Sequence, residues 1–391
     1  MADRTPIEWA DATWNPITGC SRVSEGCRHC YAEIMAARFS KPGQWGEGLA
    51  QIVRKPDGSA DHRWTGQVRF NDRALTQPLR WRKPRRIFVC STSDLFHEGV
   101  PDEWLDRVFA VMALASQHTF MVLTKRPERM RHYLSDNARG YLIDVNAADI
   151  LGEHGSERRP TIRLPVPNVW LGTSIEDQAT ADARIPHLLA TPAAVRFVSA
   201  EPLLGPVDLC YWLKGCWECA EECGWRCAET EGPTEERCHA CGWSGSAAGE
   251  FCPECGAQDF GGVCDRCEAN AVQYHPDTPC LDLVIVGGES GPGARPMHPD
   301  WPRALRDQCV AAGTAYFFKQ WGEWAPALHD PEHGGYVLRQ TEKVGPFDSW
   351  RANVFDPDRL EGVNWRRLGK KAAGRLLDGQ VWDQMPGGGN A

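Results

Sequence analysis

No apolar stretch in this chain of 391 residues approaches the roughly eighteen needed for a membrane-spanning helix. The opening "MADRTPIEWADATW" carries charge where a secretory signal needs an apolar run. The expectation is therefore a cytoplasmic protein with no membrane partner. An excess of positive charge is also missing. With 43 Lys and Arg against 52 Asp and Glu, the formal charge is -9, which argues against a protein that coats nucleic acid over its whole surface. A dinucleotide fingerprint is lacking as well: "VGGESGPG" (286–293) follows an apolar run but is not GxGxxG and opens no clean helical pattern.

What is present is a series of short apolar runs at long intervals, each followed by polar residues and helix-like sequence, the pattern of parallel βα units. They are "RIFVCSTSD" (86–94), "TFMVLTKR" (119–126), "NVWLGTSIED" (168–177), "VRFVSAEP" (195–202), "LDLVIVGGES" (281–290) and "AYFFKQWG" (315–322). Between the first two, "PDEWLDRVFAVMALAS" keeps helical spacing after a Pro-Asp start and predicts a crossover helix. Each run ends in polar residues: Ser91, Ser93 and Asp94; Lys125 and Arg126; Ser174 and Glu176; Glu201; Gly287, Gly288 and Glu289; Lys319. In a parallel barrel those ends converge on the face that carries the active site. A doubly wound sheet also gathers ligands at carboxyl ends and stays open as an alternative. The preferred fold is α/β, a partial parallel (β/α)6 TIM-like barrel. Residues 1–210 form its first part, 211–280 an insertion, 281–325 its last part, and 326–391 a C-terminal extension.

Cysteine is abundant, at 17 residues. In a reducing compartment, with most of them in pairs two residues apart, metal coordination is favoured over disulfides. Cys238 and Cys241 in "CHACGW", with Cys252 and Cys255 in "CPECGA", are two knuckles of the kind that closes a four-thiolate zinc ribbon. Cys216, Cys219, Cys264 and Cys267 supply a second zinc site, for which Cys223 or Cys227 is an alternative ligand. Such a module depends on metal to fold. It follows "SAEPLLGPVDL" (199–209) and so grows from the barrel's carboxyl face, where it would clamp a nucleic acid, act as a structural lid or meet a partner protein. Cys90, Cys210, Cys280 and Cys309 read as buried thiols.

Three cysteines remain in "GCSRVSEGCRHCYAE" (19–33): Cys20, six residues, Cys27, two residues, Cys30. A [4Fe–4S] cluster held by three thiolates leaves one iron open to an external ligand. The competing readings are a zinc half-site completed by His29 or a distant cysteine, or plain buried thiols.

Three clustered cysteines early in a βα chain, with His29 before the third and Tyr31 after it, resemble the radical S-adenosylmethionine (SAM) superfamily, in which three residues then two is the commonest spacing. "IEWADATWNPITGC", "SDLFHE", "FMVLTKRPERM", "NVWLGTSIED" and "IVGGESGPGARPM" together resemble a phage- and prophage-associated radical SAM-like family of unknown function, over nearly the whole chain outside 211–280. The resemblance implies a [4Fe–4S] cluster on Cys20, Cys27 and Cys30, SAM on the open iron, an external electron donor, and reductive cleavage of SAM to a 5′-deoxyadenosyl radical. It implies a first barrel strand near "ATWNPI" (12–17). For the SAM amino group it offers either Gly287, Gly288 and Glu289, or Ser91, Ser93 and Asp94. Ser174 and Glu176 match the place where ribose hydroxyls are held. Lys125, Glu201 and Lys319 are the catalytic candidates, with neutralisation of the ring's acids the plainer role for the lysines. The expected function is radical chemistry on a nucleic acid or nucleotide, as in phage DNA modification or repair. The basic runs "RWRKPRR" (80–86), "KRPERMRH" (125–132) and "WRRLGKK" (365–371) read as phosphate contacts or as solvated faces. The rival is a non-enzymatic zinc-binding adaptor for nucleic acid or protein.

Overall fold

The computed structural model describes residues 5–153 apart from 55, 57 and 59, then 162–213, 279–330 and 364–387, with short strands at 236–237, 244–245, 262–263, 270–271, 335–337 and 349–350. Its centre is a sheet of seven strands: β1 (Ala12–Trp14), β2 (Arg86–Val89), β3 (Thr119–Thr124), β4 (Val169–Ile175), β5 (Val195–Ala200), β6 (Leu283–Gly287) and β7 (Ala315–Gln320). Spatial order equals chain order, and every pairing is parallel. A doubly wound sheet reverses its order at a switch point. This one never does, and it forms a half-barrel. The expectation of six units is corrected by one: "AYFFKQWG" pairs with β6 as a seventh strand.

Side chains alternate across a strand, so one run of residues must satisfy two surfaces. Outward-facing Ile87, Val89, Phe120, Val122, Leu171, Val198, Val284 and Phe318 pack under the helices, while inward-facing Met121, Phe197, Leu283, Ile285 and Phe317 fill the concave side with Trp9 from the N-terminal segment. That double burial explains why the runs read as continuously apolar. The crossovers are α1 (Tyr31–Arg38) after β1, α2 (Asp102–Leu114) after β2, α3 (Pro127–Leu134) and α4 (Arg139–Leu151) after β3, α5 (Gln178–Leu189) after β4 and α6 (Asp300–Ala311) after β6. Helix α2 starts behind Pro101 with Asp102 and Glu103 in its first turn, where acids favour the helix dipole. A reciprocal capping box between Asp177 and Thr180 starts α5 directly behind Glu176.

An open sheet has two edges, and unpaired edges invite association. At β7 the chain covers its own edge. The Phe318 amide donates to the Trp382 carbonyl at 2.9 Å, the Gln384 amide to the Tyr316 carbonyl at 3.2 Å, and Phe317 bridges Asp383 in antiparallel fashion. A four-stranded antiparallel sheet (Gly335–Val337, Trp324–Asp330, Asn364–Arg367, Ser349–Trp350) links β7 to this returning segment.

Cys216, Cys219, Cys223, Cys227, Cys238, Cys241, Cys252, Cys255, Cys264 and Cys267 lie outside the described residues. Two antiparallel pairs are described beside them: Glu236–Arg237 with Ser244–Gly245, and Gly262–Val263 with Asn270–Ala271. Each spans a Cys-x-x-Cys in sequence. Among the described residues, no helix is long and apolar enough to cross a membrane.

The inner core has little slack. A Cβ at Gly172 would stand 2.5 Å from the Phe197 ring. Gly172→Ala is expected to lower stability by about 1–3 kcal/mol through overpacking, read as a shift in the urea midpoint with an unchanged slope.

Candidate active site at the carboxyl mouth

The cysteine loop leaves β1 and crosses the mouth of the half-barrel. Asn15 opens it by accepting the Thr92 amide at 3.2 Å and the Ser91 hydroxyl at 3.1 Å. Gly19 then turns the chain with φ +94°, at a point where a Cβ would meet the Gln67 carbonyl oxygen at 2.1 Å. Only glycine serves there. Cys20 follows, and Cys30 immediately precedes α1.

Between them the loop is strapped to three strand ends. At β3, Arg126 gives Nη2 to the Ser21 hydroxyl at 2.7 Å, and its Nη1 stands 4.0 Å from Cys20 Sγ. At β4, Glu176 accepts the Ser24 hydroxyl at 2.8 Å, and a Cβ on Gly26 would lie 2.5 Å from Glu176 Cγ. Beyond β6, Arg295 donates to the Glu25 carbonyl at 3.1 Å, while His29 Nδ1 stands 3.2 Å from Glu289 Oε1. The six residues between Cys20 and Cys27 are thus the span from the β2–β3 side of the mouth to the β4–β6 side. A second tether, Arg22 to Glu33 with the Trp64 amide at 2.6 Å from Glu33 Oε1, binds the loop and α1 to the hairpin Ala50–Arg54 and Ala60–Trp64.

Beneath the loop lies a cavity of about 470 Å³. Its size suits a small-molecule ligand. Cys20, Cys27 and Cys30 line it, with Ser91, Ser93, Asp94, Lys125, Ser174, Glu201, Gly288, Glu289 and Lys319 of the strand ends. Glu176 and Gly287 stand behind that wall as supports. Glu176 is 1% exposed and binds Lys125, the Ser24 hydroxyl and, at 3.0 Å, Arg184. Gly287 leaves room for Glu201, whose Oε1 would sit 2.7 Å from a Cβ there. Of the two options for an amino group, neither presents a spare carboxylate. Asp94 accepts from the Thr124 hydroxyl (2.7 Å), the Lys125 and Phe96 amides (3.1 and 2.9 Å) and Arg126 (3.0 Å). Glu289 accepts from the Arg295 amide and side chain at 2.8–2.9 Å. Ser91 and Ser93 give their hydroxyls to Asn15 and to the Ile17 carbonyl.

Every cation that lines the cavity has a carboxylate partner: Lys125 with Glu176, Arg126 with Asp94 and Glu98, Lys319 with Glu201, Lys370 with Glu8. Burial opposes ionisation of Glu289, but the Arg295 hydrogen bonds outweigh it and its pKa is lowered. Burial likewise works against the Lys319 ammonium, and Glu201 more than compensates, so its pKa is raised. Burial pushes the Cys20 thiol up to about 12, with Asp94 adding and Arg126 opposing. Cys30 is raised by burial against the amides of Glu33 and Ala32.

Among the described residues, no three His, Cys, Asp or Glu side chains stand close enough to share one metal ion. A cluster asks for something different, since each thiolate binds its own iron. Three thiols on one strapped loop, facing one cavity, fit that demand. His29 turns Nδ1 to Glu289, an arrangement that leaves Nε2 as the ring nitrogen open to a ligand.

Over residues 4–386 the chain matches the model of a family described as "Protein of unknown function (DUF5131)". The chain belongs to the DUF5131 family. No curated protein and no solved structure matches it.

In this DUF5131 chain the sequence reading missed the straps Ser24, Arg295 and Arg184. Cys90 is the buried thiol expected, at 2% exposed, and it also lines the cavity at the end of β2 with φ +60°. The basic runs separate. Arg80, Arg82, Lys83 and Arg85 precede β2 and so belong to the amino end, opposite the mouth, whereas Lys125, Arg126 and Lys370 reach the cavity.

Glu176→Ala strands two cations in a buried site, so unfolding free energy is expected to fall by about 3–5 kcal/mol. Limited proteolysis should then cut first within residues 21–29. In the metal-free protein, Cys20 is expected to resist iodoacetamide at pH 8 and to gain reactivity steadily beyond pH 9, because a raised pKa keeps it a thiol there. Mass spectrometry of the alkylated peptides, with urea-unfolded protein as reference, checks this.

Proposed function

We propose that the protein is a radical SAM enzyme with a partial TIM-like barrel, acting on a nucleic acid or nucleotide, with a zinc-ribbon module beside the mouth. The observation that carries the reading is the placement of Cys20, Cys27 and Cys30 on one loop across the carboxyl mouth of a parallel half-barrel, lining the same cavity as the polar strand ends. When bound, a [4Fe–4S] cluster would supply the electron for reductive cleavage of SAM.

The chain's own residues hold, orient and shield. Arg126, Glu176 and Arg295 fix the loop that carries the thiols at three points, which keeps the donor set preorganised. Arg126 also places a cation beside Cys20, where it favours the thiolate form. The apolar floor of Trp9, Phe88 and Leu123 excludes water from below, which suits chemistry that water would quench. Ser174, which lines the cavity, is the ribose contact this reading retains. The hairpins that span Cys238 with Cys241, and Cys264 with Cys267, support zinc knuckles.

Anaerobic reconstitution with iron and sulfide tests the reading. The expected product is a brown protein that, once reduced, converts SAM to 5′-deoxyadenosine. Cys27→Ala should lose both colour and cleavage while keeping its zinc. Colourless protein carrying three zinc ions, or cleavage retained by Cys27→Ala, would sink it.

A further inference from the structure

Strand β7 breaks its own alternation at the cavity. Val286 of β6 faces Phe318, but the next residue, Gly287, faces Gln320, so Lys319 and Gln320 together oppose one residue. This is a β-bulge, a device that re-aims side chains beside sites. Phe317 faces inward, so Lys319 reaches the cavity by the ordinary alternation of the strand, and the bulge brings Gln320, which an unbroken strand would send to the opposite face, to line it as well.

The three lysines around the cavity are not equivalent. Lys125 is bound to Glu176, which also grips Arg184 and Ser24, so it is part of the strut beneath the cysteine loop. Lys370 sits at the rim, 39% exposed, 3.2 Å from Glu8. Lys319 is 17% exposed and stands 2.7 Å from Glu201 Oε1, while Glu201 Oε2 takes the Ser199 hydroxyl at 3.0 Å. Neither member of that pair touches a strap of the cysteine loop.

Its chemistry follows from valence. The ammonium has three N–H donors and Glu201 engages one, while the Glu201 oxygens each hold one bond, from Lys319 and from the Ser199 hydroxyl. The pair therefore offers donors to the cavity and carries no net charge. A phosphate dianion on Lys319 would lie close to the Glu201 carboxylate and be repelled. A neutral carbonyl oxygen takes the spare donor with no such penalty. The floor below it is aromatic and apolar, with the Trp9 and Phe88 rings 4.7 Å apart.

Resting on the nucleic-acid reading above and deepening it, we propose that Lys319, held by Glu201 and turned inward by the alternation of β7, binds a carbonyl oxygen of an uncharged planar ring such as a nucleobase, with the phosphates outside the cavity. Calorimetric titration of the reconstituted protein, with SAM and without reductant, tests it. The probes are thymidine, its isostere 2,4-difluorotoluene deoxyriboside, which lacks carbonyl oxygens, and thymidine 5′-phosphate. Thymidine is expected to bind saturably and about tenfold more tightly than the isostere, and the phosphate should add no affinity. The double variant Lys319→Met with Glu201→Gln, which buries no lone charge, should lose that discrimination, and Lys319→Arg should regain part of it. No saturable thymidine binding, equal affinity for thymidine and its isostere in the wild type, or tenfold tighter binding of the phosphate would each overturn the proposal. The wild-type comparison stands even if a variant fails to fold. Repeating it on iron-free protein separates this site from the cluster: carbonyl discrimination that survives there upholds Lys319 whatever becomes of SAM cleavage.

Discussion

The mouth of this half-barrel depends on the carboxylate of Glu176. One buried side chain receives a lysine from the end of β3, an arginine from α5 and a serine from the loop that carries the cysteines. A buried acid with this many donors does not owe its value to net stability, since desolvating three charges costs about what their attraction returns. Its value lies in specificity. Chain segments 51 and 152 residues away in sequence can meet this oxygen pair in only one arrangement, and the cysteine loop takes its position from it.

Much of the architecture was legible because each strand is buried on both faces, which writes an unbroken apolar run into the sequence. "TFMVLTKR" and "LDLVIVGGES" needed no structure to be read as parallel strands with polar ends. The bulge at Lys319 was not legible, since one extra residue in "AYFFKQWG" leaves no mark in a hydrophobic pattern. Nor were the straps. Ser24 and Arg295 are ordinary residues whose roles come from partners far along the chain. The six-residue gap between Cys20 and Cys27 looked anomalous in sequence. In space those residues run from the Arg126 strap at the end of β3 to the Glu176 strap at the end of β4.

The strand ends looked in sequence like a ring of free acids and bases. Folding pairs them almost completely, so that Asp94, Glu176 and Glu289 act as scaffolding. What faces the cavity is a neutral polar surface over an aromatic floor. The first basic run lies at the opposite end of the barrel, so charge attraction at the mouth falls to residues near Lys370 and beyond the cavity itself.

The strap from Arg295 to the Glu25 carbonyl joins residues 270 positions apart. A ribosome adds residues at about 5–20 per second, so roughly 15 to 55 seconds separate the synthesis of the two partners. Cys20, Cys27 and Cys30 emerge first and wait through that interval without their final clamp. The loop therefore gains its straps one at a time, to Arg126 and Glu176 first and to Arg295 last, so the thiols reach their full clamp only late in synthesis.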